Sequence, residues 1–350
     1  MKLKKIVVAM VLVLPTMSAM ACASCGCSLN TDLGTQGMGS SAGWTFDLRY
    51  DNLNQNQLRS GTGSISQAQA ANTINPKTGN PAEVEGFTQN NYVTASLDYN
   101  NGETWGVTAV LPYIMRSHMT YGSDTDLGDG TGWPSGSNGY SSQANGIGDM
   151  KIIGRYFGFA EQKDWGLQFG VKLPTGNNGQ TAAAANGSGV VPVDPGLQLG
   201  TGSTDLIMGA YKFGYLPQTE NWGYFANVQY QAAVIPTNVP GNIAALMGPG
   251  TWSYRPGNGL NANLGTNYQG FEKWVPTVQF NYVYKTADSG TAADTWSTGG
   301  NILYITPGVL FRATDSTQIY ANVQLPLYQN LNGIQLAPSF VASVGVRVHF

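Results

Sequence analysis

The sequence is short of charged residues. Lysine, arginine, aspartate and glutamate together make up 11 % of the 350 residues, whereas an ordinary globular domain carries roughly a quarter. Acidic residues slightly outnumber basic ones, and the formal net charge is −3. The chain therefore lacks the basic excess that nucleic acids attract, and nucleic acid is not an expected partner.

Histidine is scarcer still, because His118 and His349 are the only two. A barrel protease or phospholipase needs a histidine beside a serine or a carboxylate. His118 could pair with Asp124 or Asp126, but no Ser-His or paired-carboxylate motif surrounds it. We therefore expect a protein that is not an enzyme and that uses no cofactor.

Long apolar runs are confined to the N-terminus. Lysines at positions 2, 4 and 5 precede the apolar stretch 6–14, which is too short to cross a bilayer as a helix. An A-x-A cleavage site follows at 19–21. These features predict a cleaved signal peptide over 1–21, whose loss shifts the net charge from −3 to about −6.

Cysteine occurs three times, as Cys22, Cys25 and Cys27, in a C-x-x-C-x-C motif. We predict that they lie on a periplasmic N-terminal tail, 22–42. One disulfide with a spare thiol, or a redox tether to a partner, suits an oxidising compartment. Thiolates at this spacing can also capture Cu(I) or Zn, although the segment supplies no fourth ligand.

Two other fates of these cysteines are disfavoured. Gly26 follows Cys25, which excludes c-type haem attachment. Lipidation of Cys22 normally requires a leucine three residues earlier, where this chain has Ala19. The motif bears a faint similarity to the cysteine pair of electron-conduit porins. A barrel scaffold that anchors or sheathes a periplasmic redox or metal partner is therefore the alternative function.

Glycine and tyrosine, by contrast, are abundant, with 46 and 18 residues. Hydrophobic residues make up 42 %, yet the mean hydropathy is only −0.16. Strands that alternate apolar and polar residues have such an average, so the composition favours an all-β, transmembrane, antiparallel up-and-down β-barrel. A secreted β-rich protein such as a lectin or fibre subunit is the alternative. The barrel predicts a location in the outer membrane of a Gram-negative bacterium.

Period-2 alternation between turn residues predicts about twelve strands, and hence a barrel over 43–350. The predicted strands are 43–52, 88–99, 103–115, 146–159, 164–173, 203–214, 221–234, 258–268, 273–285, 300–311, 316–328 and 335–350. Short connections such as 161–163 and 269–272 alternate with long ones such as 53–87 and 174–202. This alternation is typical of outer-membrane barrels, which have short periplasmic turns and long outer loops.

The C-terminal strand carries a second indication. It alternates apolar and polar residues and ends at Phe350 on the apolar register. Such an ending looks like the segment by which the barrel-assembly machinery recognises outer-membrane proteins. The expected partners are therefore outer-membrane lipid and this machinery.

Three segments together resemble one known family. They are 146–149 (GIGD), 172–176 (KLPTG) and 200–205 (GTGSTD). The chain, over about 90–350, is similar here to the MetA-pathway-of-phenol-degradation family of outer-membrane proteins, a transporter-like group. The resemblance implies a channel for small solutes, among them apolar or aromatic organic molecules.

The inward face of the predicted strands supplies the candidate pore lining. Mixed charges in a lumen can tune selectivity, whereas charges that pair with one another simply fill a narrow barrel. The long segments 174–202 and 235–257 could also fold inward as a constriction. The predicted lining residues are Asp47, Arg49, Asp51, Asp98, Asp149, Lys151, Arg155, Lys172, Asp205 and Arg347.

An acidic loop offers one further candidate site. Asp124, Asp126 and Asp129 lie close together among glycines and could bind Ca²⁺. The spacing departs from the EF-hand loop, so a solvated loop is favoured. From these features we expect a channel for passive transport of small solutes.

Overall fold

The chain folds as an all-β structure. The computed structural model describes residues 42–122, 139–217, 219 and 221–350. None of the helices in this part of the chain is long and apolar enough to cross a membrane. In chain order the elements are β1 (Gly43–Gly61), β2 (Gly63–Ser64), α1 (Gln67–Ala71), β3 (Glu85–Asn100), β4 (Trp105–Thr120), β5 (Tyr140–Ile147), β6 (Lys151–Tyr156), β7 (Trp165–Lys172), β8 (Thr181–Ala183), β9 (Val190–Pro192), β10 (Thr204–Tyr215), β11 (Trp222–Ile235), β12 (Thr237–Asn238), α2 (Gly241–Met247), β13 (Ser253–Tyr254), β14 (Gly259–Tyr268), β15 (Trp274–Lys285), β16 (Gly300–Arg312) and β17 (Thr317–His349).

Eleven of these strands form a closed antiparallel ring. Its order is β1, β3, β4, β6, β7, β10, β11, β14, β15, β16 and β17, and β17 pairs again with β1. At the seam, Trp44 and Phe350 each donate a backbone N–H to the other's carbonyl oxygen at 2.9 Å. The strands β2 and β5 join the same sheet outside the ring, on β1 and β4. The predicted closed barrel is therefore confirmed.

Two predicted strands form one continuous strand in the ring. The segments 316–328 and 335–350 form the single strand β17, whose first part pairs with β16 and whose last part pairs with β1. Gly333, between them, has a φ of +55°, a left-handed conformation that a glycine adopts without strain. The assigned ring thus has eleven strands where about twelve were predicted.

The prediction for 146–159 was wrong in its bounds. The chain leaves the sheet at 148–150, between β5 and β6, because Asp149 accepts backbone hydrogen bonds from Gly176 and Thr201 at 3.0 and 2.9 Å. The connection between the predicted strands 103–115 and 146–159 is shorter than expected, since β4 continues to Thr120 and β5 begins at Tyr140.

The burial pattern is the reverse of that in a soluble protein. In β1, Trp44, Phe46 and Leu48 are exposed, whereas the alternating Asp47 and Arg49 are buried. The same reversal recurs around the ring. Successive strand residues face opposite sides of the sheet, so the apolar face is the outside of the ring and the polar face is its inside.

Aromatic side chains cluster where the ring strands meet the short turns. Trp105, Trp165, Trp222 and Trp274 each begin a strand directly after such a turn, and all four are exposed. Trp222 packs against Tyr268 with ring centroids 5.0 Å apart. The result is an aromatic band around one end of the barrel.

The other end is covered by a packed group of loop and strand-end residues, which we call the loop cap. Its buried apolar members come from strand ends, from the segment that contains α1, from 182–197 and from the bend of β17. They are Leu58, Ala70, Ala71, Ala82, Val84, Met119, Tyr121, Tyr140, Ala182, Val193, Leu197, Ile334 and Leu336. The segments 65–84 and 182–197 are therefore folded against the barrel.

A glycine beside a buried ring gives a test of the interior packing. Phe225 is fully buried, and Gly265 lies directly opposite it on β14, where an added Cβ would overlap the ring. We expect Gly265→Ala to lower the free energy of unfolding by about 1–3 kcal/mol through overpacking, measured by urea unfolding in detergent micelles.

The same strand offers the matched control. Gly259→Ala meets no atom within 4 Å and should leave stability nearly unchanged. In a Phe225→Ala background, Gly265→Ala should cost less than it does in the parent, because the clash is removed. Equal stability of the two single glycine variants would contradict the observed packing.

Candidate functional site

The barrel interior encloses a cavity of about 260 Å³. Its wall is built from the inward faces of ring strands and from two loop segments, around Pro195 and Pro256. Apolar side chains such as Val110, Pro112 and Ile153 lie in the wall together with charged and amide side chains. The site is therefore a mixed polar and apolar chamber inside a closed ring.

One long segment folds into the barrel. Pro195–Leu197 forms a 3-10 turn, and Arg116 Nη1 donates to the carbonyl oxygen of Gln198 at 3.0 Å. Leu199 packs against Ile114 and Ala144 on the barrel wall. The segment 174–202 thus folds inward and lines the cavity, while its role as a constriction remains a prediction.

A dense hydrogen-bonded network surrounds Lys172. Its Nζ lies 3.0 Å from Asp149 Oδ2 and 3.3 Å from Asp205 Oδ1. It also donates to Ser203 Oγ at 3.1 Å and to the Thr201 hydroxyl. All three segments of the family resemblance meet here, since 146–149, 172–176 and 200–205 each supply a member. Buried charges of this kind need such partners, because desolvation is costly when they are left alone.

The structure divides the ten predicted lining residues into two groups. The six that line the cavity are Arg49, Asp51, Asp149, Lys151, Lys172 and Asp205. The other four, Asp47, Asp98, Arg155 and Arg347, lie near the short-turn end and are absent from the cavity wall. There, Arg155 is 2.7 Å from Asp98 and Arg347 is 3.3 Å from Asp47.

Sequence reasoning missed two basic residues of the cavity, Arg116 and Lys285. Arg116 lies one residue beyond the predicted end of its strand, so it was assigned to a loop. Lys285 ends β15 as predicted, on the inward register of Asn281 and Val283, and reaches Asp288 at 2.8 Å. The alternation in β15 could therefore have identified Lys285, whereas only the longer extent of β4 brings Arg116 to the site.

The two histidines occupy structural positions. His118 is buried in β4, with Nδ1 2.8 Å from Thr88 Oγ1 and its ring 5.4 Å from that of Tyr140. His349 Nδ1 lies 3.1 Å from Thr45 Oγ1 at the seam of the ring. The suggested partners Asp124 and Asp126, with Asp129, fall outside the described residues, as do Cys22, Cys25 and Cys27. The calcium, disulfide, redox and metal hypotheses for them remain predictions.

A buried carboxylate lies in the loop cap. Asp194 is fully buried, and neither of its carboxylate oxygens has a hydrogen-bond partner among the residues that the structure describes. Burial raises the pKa of Asp194 well above its ordinary value, and the charges of Glu83, Glu85 and Asp294 raise it further. Burial likewise raises the pKa of Asp294, against hydrogen bonds from Ser297 and Trp296. In the described part of the chain no three acidic, histidine or cysteine side chains are arranged to hold a metal ion.

This carboxylate makes the loop cap sensitive to pH. A raised pKa in the folded state means that the folded cap binds the proton more tightly, so its stability is greatest in acid and falls as the pH rises above about 4. We expect amide hydrogen exchange in 190–200 to accelerate by up to about tenfold per pH unit beyond the intrinsic rate.

Asp194→Asn removes this titration and should keep the segment protected at high pH. At pH 4 the parent and the variant should exchange alike. Asp315→Asn, in an exposed short turn, serves as the control and should behave as the parent does. Identical pH profiles for the parent and Asp194→Asn would disprove the linkage.

Comparison with known proteins bears on the fold. No protein-family model matches the chain, and no curated protein is similar to it in sequence. The structure is similar to the COG4313 outer membrane channel from Pseudomonas putida F1, with 13 % identity and a TM-score of 0.60, over 89 % of this chain and 96 % of that one. It is also similar to the transport unit of the autotransporter AIDA-I from Escherichia coli, with 9 % identity and a TM-score of 0.50, over 93 % and 95 % of the two chains.

The structural similarity to the Pseudomonas putida toluene transporter TodX is weaker. The identity is 10 % and the TM-score 0.45, over 95 % of this chain and 96 % of that one, so no conclusion depends on it. The two stronger matches show that this chain has the fold of solved outer-membrane barrels. The sequence resemblance to a transporter-like family of outer-membrane barrels is consistent with this fold.

Proposed function

We propose that the protein is an outer-membrane channel through which small organic solutes diffuse passively. The observation that carries the proposal is the reversed burial of a closed ring around a cavity. Exposed apolar side chains suit contact with lipid, and buried polar side chains suit a water-accessible interior. The channel fold of the Pseudomonas putida F1 neighbour supports the same function.

The aromatic band supports placement in a membrane. Outer-membrane barrels have aromatic residues at the interface between lipid and water, with short turns on the periplasmic side. The band formed by Trp105, Trp165, Trp222 and Trp274 would then lie at the periplasmic interface, and the loop cap would face outward. Counting the two parts of β17 as separate passes gives twelve, the even number usual for such barrels.

The cavity supports a small solute. Its volume of about 260 Å³ is slightly below the roughly 300–1,000 Å³ typical of sites for drug-sized molecules. Val110, Pro112 and Ile153 offer an apolar surface to a ring or a short chain. The ten predicted charged residues would then line the channel. Six of them form the wall of the chamber, and four line the passage towards the short turns.

Large buried side chains would narrow a passage at the short-turn end. Phe225 is buried in the interior on the same face of β11 as Gln229, which lines the cavity. Tyr320 donates to Asp47 Oδ1 at 2.9 Å near the seam. Side chains of this size would restrict a solute that leaves the cavity towards the short turns, so they favour a selective channel over a wide porin.

Placement in lipid is tested on the outer face. Leu264 is 58 % exposed in the middle of β14. We expect Leu264→Arg to lower the free energy of unfolding in lipid vesicles by about 2–4 kcal/mol, the cost of arginine near the bilayer midplane. Leu264→Met keeps an apolar side chain and should change it little. Equal values for both variants would exclude lipid contact at this position.

Conduction is tested at the narrow end. Phe225→Ala should raise the single-channel conductance in planar lipid bilayers, because it removes a buried ring from the passage. Phe280→Ala removes a ring from the exposed face, where Phe280 is 45 % exposed, and should leave the conductance unchanged. A membrane that stays sealed with the parent and with Phe225→Ala would refute the channel.

A further inference from the structure

The charge inside the cavity differs in sign from that of the whole chain. The formal net charge of the chain is −3, yet five basic and three acidic side chains line the cavity. The basic ones are Arg49, Arg116, Lys151, Lys172 and Lys285, and the acidic ones are Asp51, Asp149 and Asp205. The chamber therefore attracts anions more than the rest of the protein does.

Most of these basic groups are already engaged. Arg49 lies 2.8 Å from Asp51, and Lys172 is held between two carboxylates. Lys285 lies 2.8 Å from Asp288, beyond the cavity wall. These pairs leave little capacity for an additional anion at their own positions.

Lys151 differs from the others. Among the described residues, no side-chain hydrogen bond involves the Lys151 ammonium group, and no carboxylate lies within 4.0 Å of it, since the two nearby aspartates contact Lys172. Lys172 is its direct cross-strand partner on β7, and Asp205 on β10 is the next in the row. Like charges directly opposite on neighbouring strands are unfavourable. Lys172 already forms ion pairs with the two nearby aspartates, Asp149 and Asp205. An anion bound at Lys151 would relieve this arrangement.

An apolar surface lies next to this ammonium group. Val110 on β4 is the cross-strand partner of Lys151, and Pro112 and Ile114 follow on the same face of that strand. Ile153, two residues after Lys151, also faces the cavity. A ligand that suits both surfaces has one negative group and an apolar body.

The geometry points to a binding subsite for a small organic carboxylate, whose anionic group contacts Lys151 and whose ring lies on the surface formed by Val110, Pro112, Ile114 and Ile153. The inference deepens the proposed channel function, and it relies on that function only for the route by which the ligand arrives. The carboxylate accepts charge-assisted hydrogen bonds from Nζ, and the ring gains from burial.

Equilibrium binding tests the subsite without any need for ion flow. Benzoate, acetate and benzyl alcohol are titrated calorimetrically, at equal ionic strength, into the folded full-length protein in detergent micelles. We expect benzoate to bind the parent most tightly, because acetate lacks the ring and benzyl alcohol lacks the charge. Benzyl alcohol binding as tightly as benzoate, or no benzoate binding, would overturn the inference.

Variants locate the binding on Lys151. Lys151→Gln should weaken benzoate binding by roughly ten- to a hundredfold, the effect of losing a charged hydrogen bond, whereas Lys151→Arg should retain most of it. Lys212→Gln is the matched control, because the Lys212 side chain is 53 % exposed and lies 3.3 Å from Asp164 on the outer face. Unchanged affinity in Lys151→Gln would place the anion elsewhere.

Planar-bilayer measurements separate this inference from the channel proposal. Benzoate binding without conductance would refute the channel and leave the subsite intact. Conductance without benzoate binding would refute the subsite alone. The titrations of the parent with the three compounds remain decisive even if Lys151→Gln does not fold.

Discussion

Closure of the sheet is the constraint on which the rest of this structure depends. A strand buried in lipid cannot leave its backbone N–H and C=O groups without partners, and a ring is the arrangement that pairs them all. Here the ring is completed where β1 meets β17, with reciprocal backbone bonds between Trp44 and Phe350. Once the edge is gone, the two faces of the sheet face different surroundings, and each strand can have an apolar side and a polar side.

Closure also brings charges from distant parts of the chain together inside the ring. Lys151, Lys172 and Asp205 belong to three consecutive ring strands and form one row across the sheet. Inward folding of Pro195–Leu197 then reduces the interior to a chamber. The interior therefore contains a chamber whose wall combines strand side chains with two loop segments.

The sequence predicted most of the barrel, because apolar and polar residues alternate strictly along most of the ring strands. The prediction failed where this alternation ends. The strand Tyr140–Ile147 contains mostly small polar residues, and no apolar face marks it as a strand. The break at 148–150 depends on partners contributed by 174–202, which no local pattern reveals. Alternation alone identified six cavity residues. It missed Arg116, because β4 extends beyond the residues whose alternation marks it as a strand.

The hydrogen bonds from Arg116 to the inward segment affect which substitutions the chamber wall can tolerate. The guanidinium group contacts main-chain carbonyl oxygens, at Gly196 and Gln198, and does not depend on which side chains those positions carry. Substitutions in this part of the wall can thus alter its shape and polarity while the segment stays in place. The scaffold separates the anchoring of this segment from the chemistry that its side chains present, so the lining of the chamber can change without rebuilding the barrel.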